Sequence, residues 1–205
     1  MVKLKVFCLL IFTLFSSQAM AQESKTILFF GDSITAGYGI DSYDAFPALI
    51  QEKLDQSGYN YRAVNAGLSG ETSAGGVRRV DWILQQKVDI FVLELGGNDG
   101  LRGIDPADTK RNLQAIMDRV WETYPDVIMV LTGMEAPPNM GEAYTTAFRS
   151  IYRELADENE VIFMPFILEG VAGDPDLNLP DGIHPTEEGH EIVARNIWSL
   201  IEPHL

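Results

Sequence analysis

The chain has 205 residues, 46% of them hydrophobic and 22% charged, a globular composition with enough length for one filled core. Its 15 basic and 30 acidic residues give a formal net charge of −15, which argues against nucleic acid and anionic membranes as partners. Cys8 is the only cysteine, and it falls in the leader described next, so disulfides, a thiolate nucleophile and cysteine-ligated zinc are excluded from the rest of the chain.

In chain order, residues 1–21 come first and read as a cleaved secretory signal. Lys3 and Lys5 precede an apolar stretch over residues 6–15, and Ala19-Met20-Ala21 offers small residues for a signal peptidase. That stretch is about half of the roughly 20 residues a membrane span needs, so no stable anchor is expected after cleavage. Removing the leader takes away two lysines and no acid, leaving 13 basic against 30 acidic residues. A single domain over residues 22–205, periplasmic or secreted, is the expectation.

Short apolar runs rich in β-branched and aromatic residues then recur as predicted strands at 26–30 (TILFF), 61–67 (YRAVNAG), 88–95 (VDIFVLEL), 126–132 (DVIMVLT) and 161–166 (VIFMPF). Helical patterns lie between them. Phe46, Leu49, Ile50 and Leu54 mark one, and residues 143–158 another. The clearest starts at Pro106 with Asp105 as its cap, and sets Leu113, Ile116, Met117, Val120 and Tyr124 on one stripe. Val193, Ile197, Leu200 and Ile201 mark the last. This alternation predicts an α/β fold with a parallel sheet of about five strands and helices on both faces.

In such a sheet all carboxyl ends share one edge, and ligands bind in the crevice outside it. The segments expected there are Gly31-Asp32-Ser33 after the first strand and Gly67-Leu68-Ser69-Gly70-Glu71 after the second. Gly96-Gly97-Asn98-Asp99-Gly100 follows the third, Glu135-Ala136-Pro137-Pro138-Asn139 the fourth, and a longer loop after the fifth ends in Asp181-Gly182-Ile183-His184-Pro185. A hydroxyl, glycine backbone, a carboxamide and an Asp/His pair are the parts of an acyl-transfer site.

Each part has a chemical reason. Ser33 would open a helix, where unpaired N–H groups and the helix dipole favour developing negative charge. A serine hydroxyl needs a base to attack, and His184 is the candidate; Asp181 is placed to orient its other ring nitrogen. The Ser33 N–H, a glycine N–H from the second loop (Gly67 or Gly70) and the Asn98 amide are candidate oxyanion donors. Taken singly, Ser33 reads as a helix cap and Asn98, Asp99 and Asp181 as turn residues. Their convergence at one edge is what favours chemistry.

Competing motifs are missing. There is no GxxxxGK[ST], no GxGxxG and no GxSxG, so neither a phosphate loop nor the α/β-hydrolase elbow explains Ser33. His190, six residues past His184, reads as a packing residue rather than a metal ligand.

Gly31-Asp32-Ser33, the glycine of the second loop, Gly97-Asn98-Asp99 and Asp181-x-x-His184, in this order, resemble the SGNH, or GDSL, hydrolase superfamily. The segment 93–103 (LELGGNDGLRG) is most similar to its bacterial thioesterase I/lysophospholipase L1/arylesterase branch. The resemblance implies a flavodoxin-like three-layer α/β/α sandwich and hydrolysis of acyl esters or thioesters through an acyl-enzyme. It makes Ser33 the nucleophile, His184 the base and Asp181 its orienter. Ser33, Gly70 and Asn98 become the oxyanion hole, and Ala136 and Pro137 substrate-binding residues. No metal or other cofactor is implied, and the partner is a small-molecule acyl ester. In this branch an aromatic commonly stands near the asparagine of the fourth loop; here Met140 follows Asn139. The alternatives are a short-chain polysaccharide deacetylase and a non-catalytic lipid- or glycan-binding relative.

Overall fold

The computed structural model describes residues 24–205. The leader expected at residues 1–21 therefore lies outside the described residues. Five strands form one sheet: β1 (Lys25–Gly31), β2 (Tyr61–Gly67), β3 (Ile90–Glu94), β4 (Ile128–Thr132) and β5 (Ile162–Met164). All pairings are parallel and the order is β2-β1-β3-β4-β5. The expected strands are all there, the last trimmed to three residues.

The connecting helices are α1 (Ser33–Ala36), α2 (Phe46–Ser57), α3 (Ser73–Ile83), α4 (Gly97–Leu101), α5 (Pro106–Thr123), α6 (Glu142–Asn159) and α7 (Glu187–Ile201). On one side α2 packs on α7; on the other α3 packs on α5 and α5 on α6. Right-handed crossovers produce that division, because the chain moves outward from β1 to β2 and then back past β1 to β3. The result is a three-layer α/β/α sandwich whose direction reverses between β1 and β3, the point where such sheets open a ligand crevice.

Sequence accounts for the clearest helix directly. Asp105 accepts a hydrogen bond from the Ala107 N–H at 2.9 Å, Pro106 takes the first helical position, and Leu113, Ile116, Met117 and Val120 are buried against the sheet. Each such side chain contributes about 1.5–3 kcal/mol when fully buried. Tyr124 is the exception on the expected stripe: it ends the helix, and its hydroxyl donates to the carbonyls of Leu84 and Gln86.

Helix α3 was not marked by apolar spacing, since it contains Gly75 and Gly76. A Cβ on Gly76 would sit 2.5 Å from Leu95 Cδ1 and 3.0 Å from Ile116 Cδ1, so the glycine lets α3 settle close to the sheet. Residues 97–101, read as a loop, form the short helix α4.

Candidate active site

The turn after β1 is shaped by what Gly31 lacks. A Cβ there would lie 2.1 Å from Thr35 Oγ1 and 2.2 Å from Glu94 Oε2, so only glycine lets β1 turn into α1 above β3. Asp32 caps the helix, its Oδ1 accepting from the Ile34 N–H at 3.1 Å. Ser33 is thus the first helical residue and Asp32, not Ser33, is the cap.

Ser33 Oγ lies 2.8 Å from His184 Nε2, and His184 Nδ1 lies 2.7 Å from Asp181 Oδ2. With the ring proton on Nδ1 donated to the carboxylate, Nε2 is free to accept from the serine hydroxyl. The other Asp181 oxygen accepts from the backbone N–H groups of Ile183 (2.9 Å) and His184 (3.0 Å), which fixes the loop to its own acid. Leu179 N–H donates to the His184 carbonyl at 2.7 Å, and Gly182, at φ +68°, makes the bend between them. The loop is therefore closed by its own hydrogen bonds.

The other two edges converge on the same point. Asn98 Nδ2 donates to Asp32 Oδ2 at 3.2 Å, tying α4 to the Ser33 turn. Beneath it, buried Asp99 accepts from Ser73 N–H at 2.8 Å and from Thr109 Oγ1 at 3.3 Å, joining α4 to α3 and α5. On the β2 side, Gly67 N–H is already taken by Asn65 Oδ1 at 2.9 Å. Gly70, at φ +79°, has its carbonyl held by Arg102 Nη2 at 3.0 Å. The next residue, Glu71, is paired with Arg79, whose Nε lies 2.9 Å from both carboxylate oxygens. His190 sits apart, fully buried, its Nδ1 accepting from the Phe46 N–H at 3.1 Å.

The GDSL-like lipase/acylhydrolase family profile matches residues 29–192. The chain belongs to this family. Esterase TesA of Pseudomonas aeruginosa is 40% identical to this GDSL hydrolase over 191 residues, covering 93% of this chain and 92% of the relative. The thioesterase 1/protease 1/lysophospholipase L1 of Escherichia coli K12 is 36% identical over 184 residues, covering 89% and 86%. A crystal structure of TesA superposes with a TM-score of 0.84 at 40% identity, over 88% of this chain and all of that one (100%). This GDSL hydrolase is an ester-bond hydrolase.

Two buried carboxyls underlie the GDSL turn. Glu94, at the end of β3 and opposite Gly31 in the register, accepts on Oε2 from Asp32 N–H (3.1 Å), Thr35 N–H (3.3 Å) and the Thr35 hydroxyl. It is 0% exposed, and its Oε1 meets no hydrogen-bond partner among the described residues. Burial, with the Asp32 charge beside it, pushes the Glu94 carboxyl well above the usual carboxylate range. Burial also raises Asp32, to about 6, against the opposing hydrogen bonds from Ile34 N–H and the Asn98 amide. Burial acts in the same direction on Asp181, but the His184 ring and the two backbone N–H groups outweigh it and bring that carboxyl down to about 2. Near pH 7 Asp32 and Asp181 therefore both carry charge. In the sequence Glu94 is signalled only as an acid inside an otherwise apolar strand.

Beside the GDSL turn runs a groove of about 560 Å³, lined by Ile34, Met134, Ala136, Pro137, Met140 and Phe166 among others. Ile34 and Gly97 in its wall are the immediate neighbours of Ser33 and Asn98.

Proposed function

We propose that this GDSL hydrolase cleaves acyl esters through an acyl-enzyme on Ser33, with His184 as general base and Asp181 holding the imidazole. The observation that carries the reading is the unbroken chain Ser33 Oγ–His184 Nε2–Asp181 Oδ2, at 2.8 and 2.7 Å. As Oγ attacks the ester carbonyl, His184 takes its proton and Asp181 favours the imidazolium. The tetrahedral oxyanion is received by the Ser33 N–H, the Gly70 N–H and the second N–H of the Asn98 amide. Gly70 is preferred over Gly67 because the Gly67 N–H is already hydrogen-bonded. His184 then hands the proton to the leaving alkoxide, and water repeats the sequence to release the acid.

The groove supplies the acyl site, with Ala136 and Pro137 in its wall. Its volume falls within the range of drug-sized ligand pockets, about 300–1,000 Å³, and supports an acyl chain well beyond acetyl. This favours lysophospholipid, aryl-ester and acyl-thioester substrates over acetylated polysaccharide. The net charge of −15 disfavours polyanionic acyl-CoA as the natural substrate. The leader at residues 1–21, removed after about Ala21, would deliver residues 22–205 as one domain to the periplasm or the medium. Among the described residues no helix is long and apolar enough to cross a membrane.

A nitrophenyl ester series from acetyl to palmitoyl, run beside lysophospholipid and acetylated xylan, tests the substrate class. Activity should peak above butyryl and extend to lysophospholipid. Turnover confined to acetyl substrates would replace this reading with a deacetylase.

A further inference from the structure

The catalytic scheme leaves one neighbour of the His184 ring without a task. Tyr38, just past the glycine that ends α1, lays its ring 4.5 Å from the imidazole, centroid to centroid, with the planes inclined at 42°. It is 52% exposed, so burial does not account for its placement. Its hydroxyl makes no hydrogen bond among the described residues, which leaves the ring as the part in use.

The backbone that carries Tyr38 is tied to both sides of the site. Gly37, at φ +74°, turns the chain, and the Tyr38 N–H donates to the carbonyl of Ser33 itself at 3.0 Å. Gly39 then approaches the His184 loop so closely that a Cβ there would stand 2.5 Å from Leu179 Cδ1. One short turn thus links the serine backbone to the loop that bears the histidine.

A ring at this position answers a geometric need. The Asp181 hydrogen bond fixes Nδ1 but leaves the imidazole free to rock about that contact, swinging Nε2 off Ser33. An aromatic wall on one side restrains that motion. It also faces the imidazolium, which forms only as Ser33 attacks, and a cation within about 6 Å of an aromatic centroid is attracted to it. An interaction that strengthens in the transition state raises turnover rather than substrate binding.

We propose that Tyr38 is a positioning residue for the base, its ring holding the His184 imidazole on Ser33 and favouring the imidazolium. This rests on the assignment of His184 as general base. Tyr38 does not line the acyl groove, so shortening it leaves acyl binding in place.

The test is steady-state kinetics of the full protein on nitrophenyl butyrate for wild type, Tyr38→Ala, Tyr38→Phe and His184→Ala, with thermal unfolding of each. Tyr38→Ala should lower kcat about ten- to hundredfold with KM within about twofold. Its unfolding midpoint should stay within about 2 °C of wild type. Tyr38→Phe keeps the ring and should hold kcat within about twofold of wild type. A wild-type kcat for Tyr38→Ala, a loss confined to KM, or equal damage in Tyr38→Phe would overturn the proposal. If His184→Ala is inactive in the same assay, such a result removes Tyr38 alone; an active His184→Ala removes the base assignment and the Tyr38 role with it.

Discussion

Asn98 binds in two directions. One N–H of its amide is held by Asp32 Oδ2, and in the proposed mechanism the other receives the oxyanion. Because that charge appears only during reaction, Asn98→Ala should lower kcat about 10²- to 10³-fold with little change in KM, measured on a nitrophenyl ester. A wild-type kcat would take Asn98 out of the oxyanion hole. Asp32 itself provides a pH signature. Its carboxyl ordinarily ionises at 3.8 and is raised to about 6 in the fold, so the fold favours the neutral form. That contribution is complete below about pH 3.8 and is lost as pH rises through about 6, an effect on the order of 3 kcal/mol. In urea denaturation from pH 4 to 8, Asp32→Asn should therefore gain on wild type as pH rises; a pH-independent difference would refute it. Ser33, Asp181 and His184 were legible as a group rather than singly, because the strand pattern sends all three to one sheet edge, where their side chains meet. Glu94 was not, because its contacts come from the register that sets it opposite Gly31, and register is a property of the assembled sheet.

Among the elements, α3 links stability to the site. The chain runs from Gly70 through Glu71 into α3, and Arg79 on that helix pairs with Glu71, donates to the Ala66 carbonyl at 2.9 Å and lies over the Phe30 ring at 4.3 Å. The Glu71 side chain is 4% exposed, so removing the guanidinium strands a nearly buried charge. Arg79→Met should cost about 3–5 kcal/mol in urea denaturation, and adding Glu71→Met should restore much of it. A loss below about 0.5 kcal/mol, the range of ordinary surface changes, would show that the pair does not hold this segment. Helices α2, α5, α6 and α7 were readable because each presents an apolar stripe to the sheet. The glycines of α3 hid it, since close packing against Leu95 and Ile116 overrides their low helix propensity.

At the level of the whole molecule, the alternation of strand and helix announced a parallel sheet, but the order β2-β1-β3-β4-β5 is a tertiary fact that no single segment carries. That order places the ends of β1 and β3 side by side at the reversal point. Asn98 therefore meets the Ser33 turn through Asp32, although 66 positions separate Asp32 and Asn98 in the chain. The loop bearing Asp181 and His184 closes over the same edge from the far end of the chain. The central claim is that this meeting makes Ser33 a nucleophile. The most direct measurement is labelling with a nitrophenyl alkylphosphonate followed by peptide mass mapping. The expected result is one phosphonyl adduct, on Ser33, absent in Ser33→Ala and formed far more slowly in His184→Ala. An adduct on a different residue, or Ser33→Ala turning over esters at the wild-type rate, would contradict it.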